Sequence, residues 1–110
     1  MMSQAPPPVQ NLMCDSIRES LSSRCYAVDQ SYSLNPQLTF HPIHHTRQVP
    51  PPVDLINQAT LMLLFRADRV ELRSERPTSS KTIAEIPYED PNMFEKLASV
   101  LAKFDICLKV

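Results

Sequence analysis

The most regular pattern in the chain is an alternation of apolar and charged positions in its second half. Residues 69–75 (Arg-Val-Glu-Leu-Arg-Ser-Glu) place Val70 and Leu72 on one side and Arg69, Glu71, Arg73 and Glu75 on the other, the period-two pattern of a half-buried strand. Residues 60–66 (Thr-Leu-Met-Leu-Leu-Phe-Arg) precede them across Ala67-Asp68, so the two segments are predicted to pair. A third strand is expected over 81–87, after the loop Arg76-Pro77-Thr78-Ser79-Ser80. The spacing then changes to that of a helix over 91–104, with Asp90 as N-cap, Pro91 at its first position and a buried stripe of Phe94, Leu97, Ala98, Leu101 and Phe104. Ile106, Leu108 and Val110 alternate with Cys107 and Lys109 as a final strand.

Residues 54–76 are also rich in good helix formers, Leu, Ala, Met, Arg and Glu. As one helix they would gather Arg66, Arg69, Arg73 and Arg76 on one side, the footprint of a nucleic-acid binder. That helix would, however, put Arg66 and Arg73 inside the stripe of Leu55, Ile56, Ala59, Met62 and Leu63, where an unpaired charge is costly. Strands violate fewer constraints and are preferred.

The first half is less regular. Cys14, Ile17, Leu21 and Cys25 recur at helical spacing, predicting a helix over 12–25 with Ser16 and Glu19 as a capping box. Weak alternation over 26–34 and 37–41, with Leu38 and Phe40 on one side, predicts two short strands. Two matching segments, Gln4-Ala5-Pro6-Pro7-Pro8-Val9 and Gln48-Val49-Pro50-Pro51-Pro52-Val53, favour polyproline II geometry. Residues 1–53 hold eight of the eleven prolines, all three histidines and six charged residues, whereas 54–110 hold the other seventeen charges. The expected organisation is therefore a proline-rich, partly irregular N-terminal region (1–53) wrapped on an α+β body (54–110, strand-strand-strand-helix-strand). In fold class this is a small, mainly antiparallel sheet packed on one C-terminal helix.

Composition alters this picture at one point. The chain has no glycine, where average usage of about 7% would supply roughly seven or eight, and no tryptophan. The codons of both residues contain adjacent guanines, which points to a nucleotide bias or an overlapping reading frame of the kind found in compact viral genomes. Structurally, any left-handed backbone position must be filled by a residue such as Asn11, Asn35, Asn57, Asn92 or an aspartate. The same absence excludes the glycine-dependent phosphate loops, dinucleotide fingerprints and nucleophile elbows, which need a backbone that only glycine permits.

Charge is balanced, 11 Lys+Arg against 12 Asp+Glu, so there is no overall pull toward nucleic acid or an anionic membrane. No stretch has the roughly 20 apolar residues that span a bilayer. Residues 1–10 do not resemble a secretory signal, and three cysteines at irregular spacing suit a reducing compartment. A cytoplasmic or nuclear, non-secreted protein is expected. Cys14, Cys25, His41, His44 and His45 supply zinc-type ligands, but their spacing lacks any Cys-x-x-Cys pair. Cysteine also packs as a small hydrophobe, so neither metal nor cofactor is expected. No spacing supports a nucleophile, a base and its orienting acid, and no small-molecule substrate is inferred. The proline triplets lack Pro-x-x-Pro spacing and are read as stiff spacers that offer a secondary contact.

The strongest functional signal is the uninterrupted apolar run Leu61-Met62-Leu63-Leu64-Phe65, a strand apolar on both faces. One helix covers only one face of a small sheet. The other needs the N-terminal half, a second copy of the chain or a partner, and a body of 57 residues buries only about 60% of its unfolded surface. The expectation is a non-enzymatic accessory or adaptor protein acting through protein–protein contacts, a homodimer or a complex subunit. Met62, Leu64, Phe65, Pro50, Pro51, Pro52 and Val53 are its candidate partner-binding residues. The alternative is a nucleic-acid-binding protein using Arg66, Arg69, Arg73 and Arg76.

Overall fold

The computed structural model describes residues 8–32, 35–43 and 60–109. In chain order these form α1 (Val9–Ser20), β1 (Leu21–Ser23), β2 (Tyr26–Ser31), β3 (Gln37–Pro42), β4 (Thr60–Phe65), β5 (Arg69–Arg76), β6 (Ser79–Pro87), α2 (Met93–Ala102) and β7 (Ile106–Leu108). Strands β2 to β6 make one antiparallel meander in sequential order, with β4 at its centre. The protein is thus α+β with an antiparallel sheet and a C-terminal helix packed on it. The break in composition near residue 53 falls in the connection between β3 and β4, inside this single sheet.

Register determines which side of each strand is buried. Phe65 pairs with Val70 and Val70 with Ile86, while Leu63 pairs with Leu38 and Leu72. Because directly opposed residues share a face, these form apolar rows across the sheet. Cys14 and Ile17 of α1, and Met93, Leu97 and Leu101 of α2, join the same contiguous core. The two described helices therefore cover one face. An edge-to-face contact of Tyr26 with Phe40, ring centroids 6.3 Å apart, extends this core toward β2.

Several local expectations are corrected. The first helix occupies Val9–Ser20 rather than 12–25. The Pro8 carbonyl accepts hydrogen bonds from the amides of Asn11 and Leu12, so Ser16 lies within the helix and forms no capping box. The chain leaves the helix at Leu21 because Leu21–Ser23 pair with Ile106–Leu108 in a separate two-stranded sheet. Cys25 is buried in the connection that follows. The expected strands at 26–34 and 37–41 are observed as β2 and β3. The C-terminal strand is likewise observed, with described bounds Ile106–Leu108.

The second helix begins at Met93 with Asn92 as its cap residue, later than expected. Asp90 instead organises the preceding turn, accepting from the Asn92 amide at 2.8 Å and from Lys96 Nζ at 2.5 Å. The face that packs on the sheet runs through Met93, Leu97 and Leu101, and Phe94, expected in the buried stripe, is exposed. The loop expected over 76–80 shrinks to Pro77-Thr78, since β5 runs to Arg76 and β6 starts at Ser79.

The chain solves its turns without glycine. Among the described residues only Asp105 has a positive φ, 59°, just after α2. An aspartate in the left-handed region matches the expectation from composition, since its short polar side chain tolerates that region better than most. Neither the Ala67-Asp68 turn nor the Pro77-Thr78 turn contains a positive φ. The hairpins thus avoid the primed turns that need such angles, and the fixed φ of Pro77 suits the first central position of an ordinary turn.

Candidate functional site

With α1 and α2 on one side, the other face of the sheet carries the remaining parity. Met62 lies between Thr39 and Arg73, and Leu64 between Gln37 and Glu71. Neither Met62 nor Leu64 belongs to the contiguous core. Leu64 is nonetheless only 8% exposed, so it forms the floor of this face, while Met62 is half-buried. Phe65, expected beside them as a partner contact, points the other way and is 0% exposed within the core. Pro50, Pro51, Pro52 and Val53 lie outside the described residues.

An ionic cluster borders the apolar floor. Glu71 is 5% exposed, the only buried charged residue among those described. Its Oε1 accepts from Arg66 Nε at 3.2 Å and Nη2 at 3.0 Å, and its Oε2 accepts from Thr82 Oγ1 at 2.7 Å. Arg73 Nε lies 3.4 Å from Glu71 Oε2 and 4.0 Å from Glu75 Oε1. This buried nitrogen makes no hydrogen bond among the described residues, so its link to Glu71 is an ion pair alone. Burial pushes the Glu71 carboxyl up, but the bonds from Thr82 and Arg66 and the charges of Arg66 and Arg73 outweigh it. The net direction is below the ordinary glutamate value, so Glu71 is ionised at neutral pH.

These pairings determine what the four arginines can do. Arg66 and Arg73 are engaged with Glu71, and Arg69 donates to Glu85 at 3.2 Å and Asp68 at 2.9 Å. Arg76 alone of the four has no carboxylate partner among the described residues. By strand parity it also lies on the helix-bearing side, opposite Arg69 and Arg73. The structure therefore does not bring the four into one positive patch. The alternating signs of residues 69–75 foreshadowed the pairing. The burial of Glu71 left no local trace, because Leu64 and Thr82, its neighbours across the sheet, come from other strands.

The remaining candidate chemistry is dispersed. Burial pushes the Cys14 thiol up to about 11 and also raises Cys25, whose Sγ lies 3.2 Å from Asp105 Oδ2. Both stay protonated near neutral pH, the opposite of an activated nucleophile. His41 stands on the other face from the core, its Nε2 3.0 Å from Asp29 Oδ2. His44 and His45 lie outside the described residues, and no group of three or more His, Cys, Asp or Glu among those described is placed to hold a metal ion. Among the described residues no helix is long and apolar enough to cross a membrane. No known family model matches the chain, and comparison with curated proteins and with solved structures finds no match.

Proposed function

We propose that the chain is a non-enzymatic accessory or adaptor protein that works through protein–protein contact, as a homodimer or a complex subunit, with the sheet face opposite α1 and α2 as the docking surface. The observation that carries this proposal is the placement of the two described helices, α1 and α2, on one face, with Met62 and Leu64 at the centre of the other. Charge on that face is mixed. Asp29, Glu71, Glu75 and Glu85 stand against Arg66, Arg69, Arg73 and His41. A two-fold axis places one patch against itself, and a patch of mixed sign does so without net repulsion, which favours a second copy as the occupant. The missing glycine and tryptophan codons favour a viral origin, and the free thiols favour a cytoplasmic or nuclear setting.

Light scattering coupled to size-exclusion chromatography, at two concentrations in reducing buffer, tests the proposal. A dimer is expected, and Met62→Glu, at a half-buried position of that face opposite Arg73, should convert it to a folded monomer. A wild-type chain that stays monomeric at micromolar concentration would count against self-association and turn the search toward a different protein. The nucleic-acid alternative is weakened by the carboxylate partners of Arg66, Arg69 and Arg73. Arg76→Glu separates the two, since Arg76 lies off the docking face: it should weaken DNA or RNA binding but spare protein binding.

A further inference from the structure

The β5–β6 hairpin is longer than the core requires. On the helix-bearing side, β5 presents Val70, Leu72, Ser74 and Arg76 in succession, and β6 presents Lys81 opposite Ser74 and Ser79 opposite Arg76. Val70 and Leu72 are buried, while the tip of the hairpin is polar and exposed. The bulge at Leu72/Arg73 leaves Ile83 outside the one-to-one pairing, and Ile83 packs against the edge of the core together with Phe104, just beyond α2. Ser74, Arg76, Ser79, Lys81, Thr82, Ile83 and Phe104 line a cleft of about 540 Å³, which brings two cations and several hydroxyl-bearing residues together with the apolar Ile83 and Phe104.

The electrostatics of this cleft differ from those of the opposite face. Among the described residues neither Arg76 nor Lys81 has a carboxylate partner and no acidic side chain lines the cleft. The two cations are diagonal cross-strand neighbours, roughly 7–8 Å apart at that spacing and within mutual reach of long side chains. Like charges so placed repel one another, and an anion between them relieves the repulsion. A phosphoryl group has several acceptor oxygens for the forked guanidinium, the ammonium and the serine hydroxyls. Phe104 and Ile83 provide an apolar surface on which a flat ring can lie.

We propose that the cleft between the β5–β6 hairpin tip and Phe104 is a binding site for an aromatic phosphomonoester, with Arg76 and Lys81 holding the phosphoryl group and Phe104 the ring. The site lies on the helix-bearing side of the sheet and does not depend on the docking surface proposed above.

Titration of the isotope-labelled full chain, followed by amide chemical shifts, tests the proposal. Adenosine monophosphate and phosphotyrosine serve as parallel probes and inorganic phosphate as the reference. Saturable shifts confined to residues 74–83 and 104 are expected with at least one aromatic probe, at lower concentration than with inorganic phosphate. Whichever aromatic probe binds more tightly identifies the source of the group. The double variant Arg76→Gln/Lys81→Gln, altered only at exposed positions, should bind at least about tenfold more weakly. Arg69→Gln, outside the cleft, should bind as the wild type does. No localised shift at about 10 mM probe, or undiminished binding by the double variant, would overturn the proposal. Equal affinity for inorganic phosphate would overturn the role of Phe104.

Discussion

Replacing Glu71 by glutamine removes one negative charge from the most buried ionic cluster described in the protein and changes little in shape. In the wild type the carboxylate, 5% exposed, accepts from Arg66 and Thr82 and lies 3.4 Å from Arg73. Deleting one partner of a fully buried pair costs about 3–5 kcal/mol. Here the two guanidinium-bearing side chains are 34% and 31% exposed, so water recovers part of their solvation. The amide oxygen also retains one acceptor for Thr82 or Arg66. A loss of about 2 kcal/mol at neutral pH is therefore expected, or roughly 10 °C in Tm for a domain of this size. Urea unfolding of the wild type, Glu71→Gln and Thr82→Val at a series of pH values measures it. Because the folded carboxyl titrates below its ordinary value, its contribution is complete above the unfolded value of about 4.5. It disappears as pH falls through the folded value. The gap between wild type and Glu71→Gln should close on acidification, whereas the Thr82→Val deficit should shrink only in part. Variants within about 0.5 kcal/mol of each other at pH 7, or a gap unchanged in acid, would refute a buried, ionised Glu71.

Three further outcomes are expected. Phe65→Ala should cost about 3–5 kcal/mol in urea unfolding, because Phe65 lies wholly inside the core rather than on the docking face; a fully stable variant with weakened self-association would reverse that assignment. Tyr26→Phe should leave stability unchanged or raise it by up to about 1 kcal/mol, since the Tyr26 hydroxyl is buried without a hydrogen-bond partner among the described residues; thermal melts of the two proteins decide it. In the native protein at neutral pH a thiol-specific chromogenic reagent should modify Cys107 readily, and Cys14 and Cys25 only after unfolding, because these two are buried with raised pKa values.

Much of the architecture was legible in the sequence wherever a local pattern had one solution. The alternation of Val70 and Leu72 with Arg69, Glu71 and Arg73 specified a half-buried strand. Its neighbours 60–66 and 81–87, the Ala67-Asp68 turn and the apolar spacing of the C-terminal helix followed from the same periodicities. Where the pattern was degenerate, partners distant in the chain decided. The run Leu61 to Phe65 has no polar position to mark its faces. Only pairing with β3 and β5, together with the docking of α1 and α2, sends Leu61, Leu63 and Phe65 inward and Met62 and Leu64 outward. Residues 21–25 continue the helical spacing of α1, but the backbone groups of Leu21–Ser23 pair with Ile106–Leu108, more than eighty residues away. A β ladder uses groups that every residue carries, so side-chain periodicity does not announce it. The arginines of residues 66–76 divide for the same reason. Composition supplied their charges, whereas parity across the sheet placed Arg73 beside Glu71 and Arg76 at an unneutralised cleft on the opposite side.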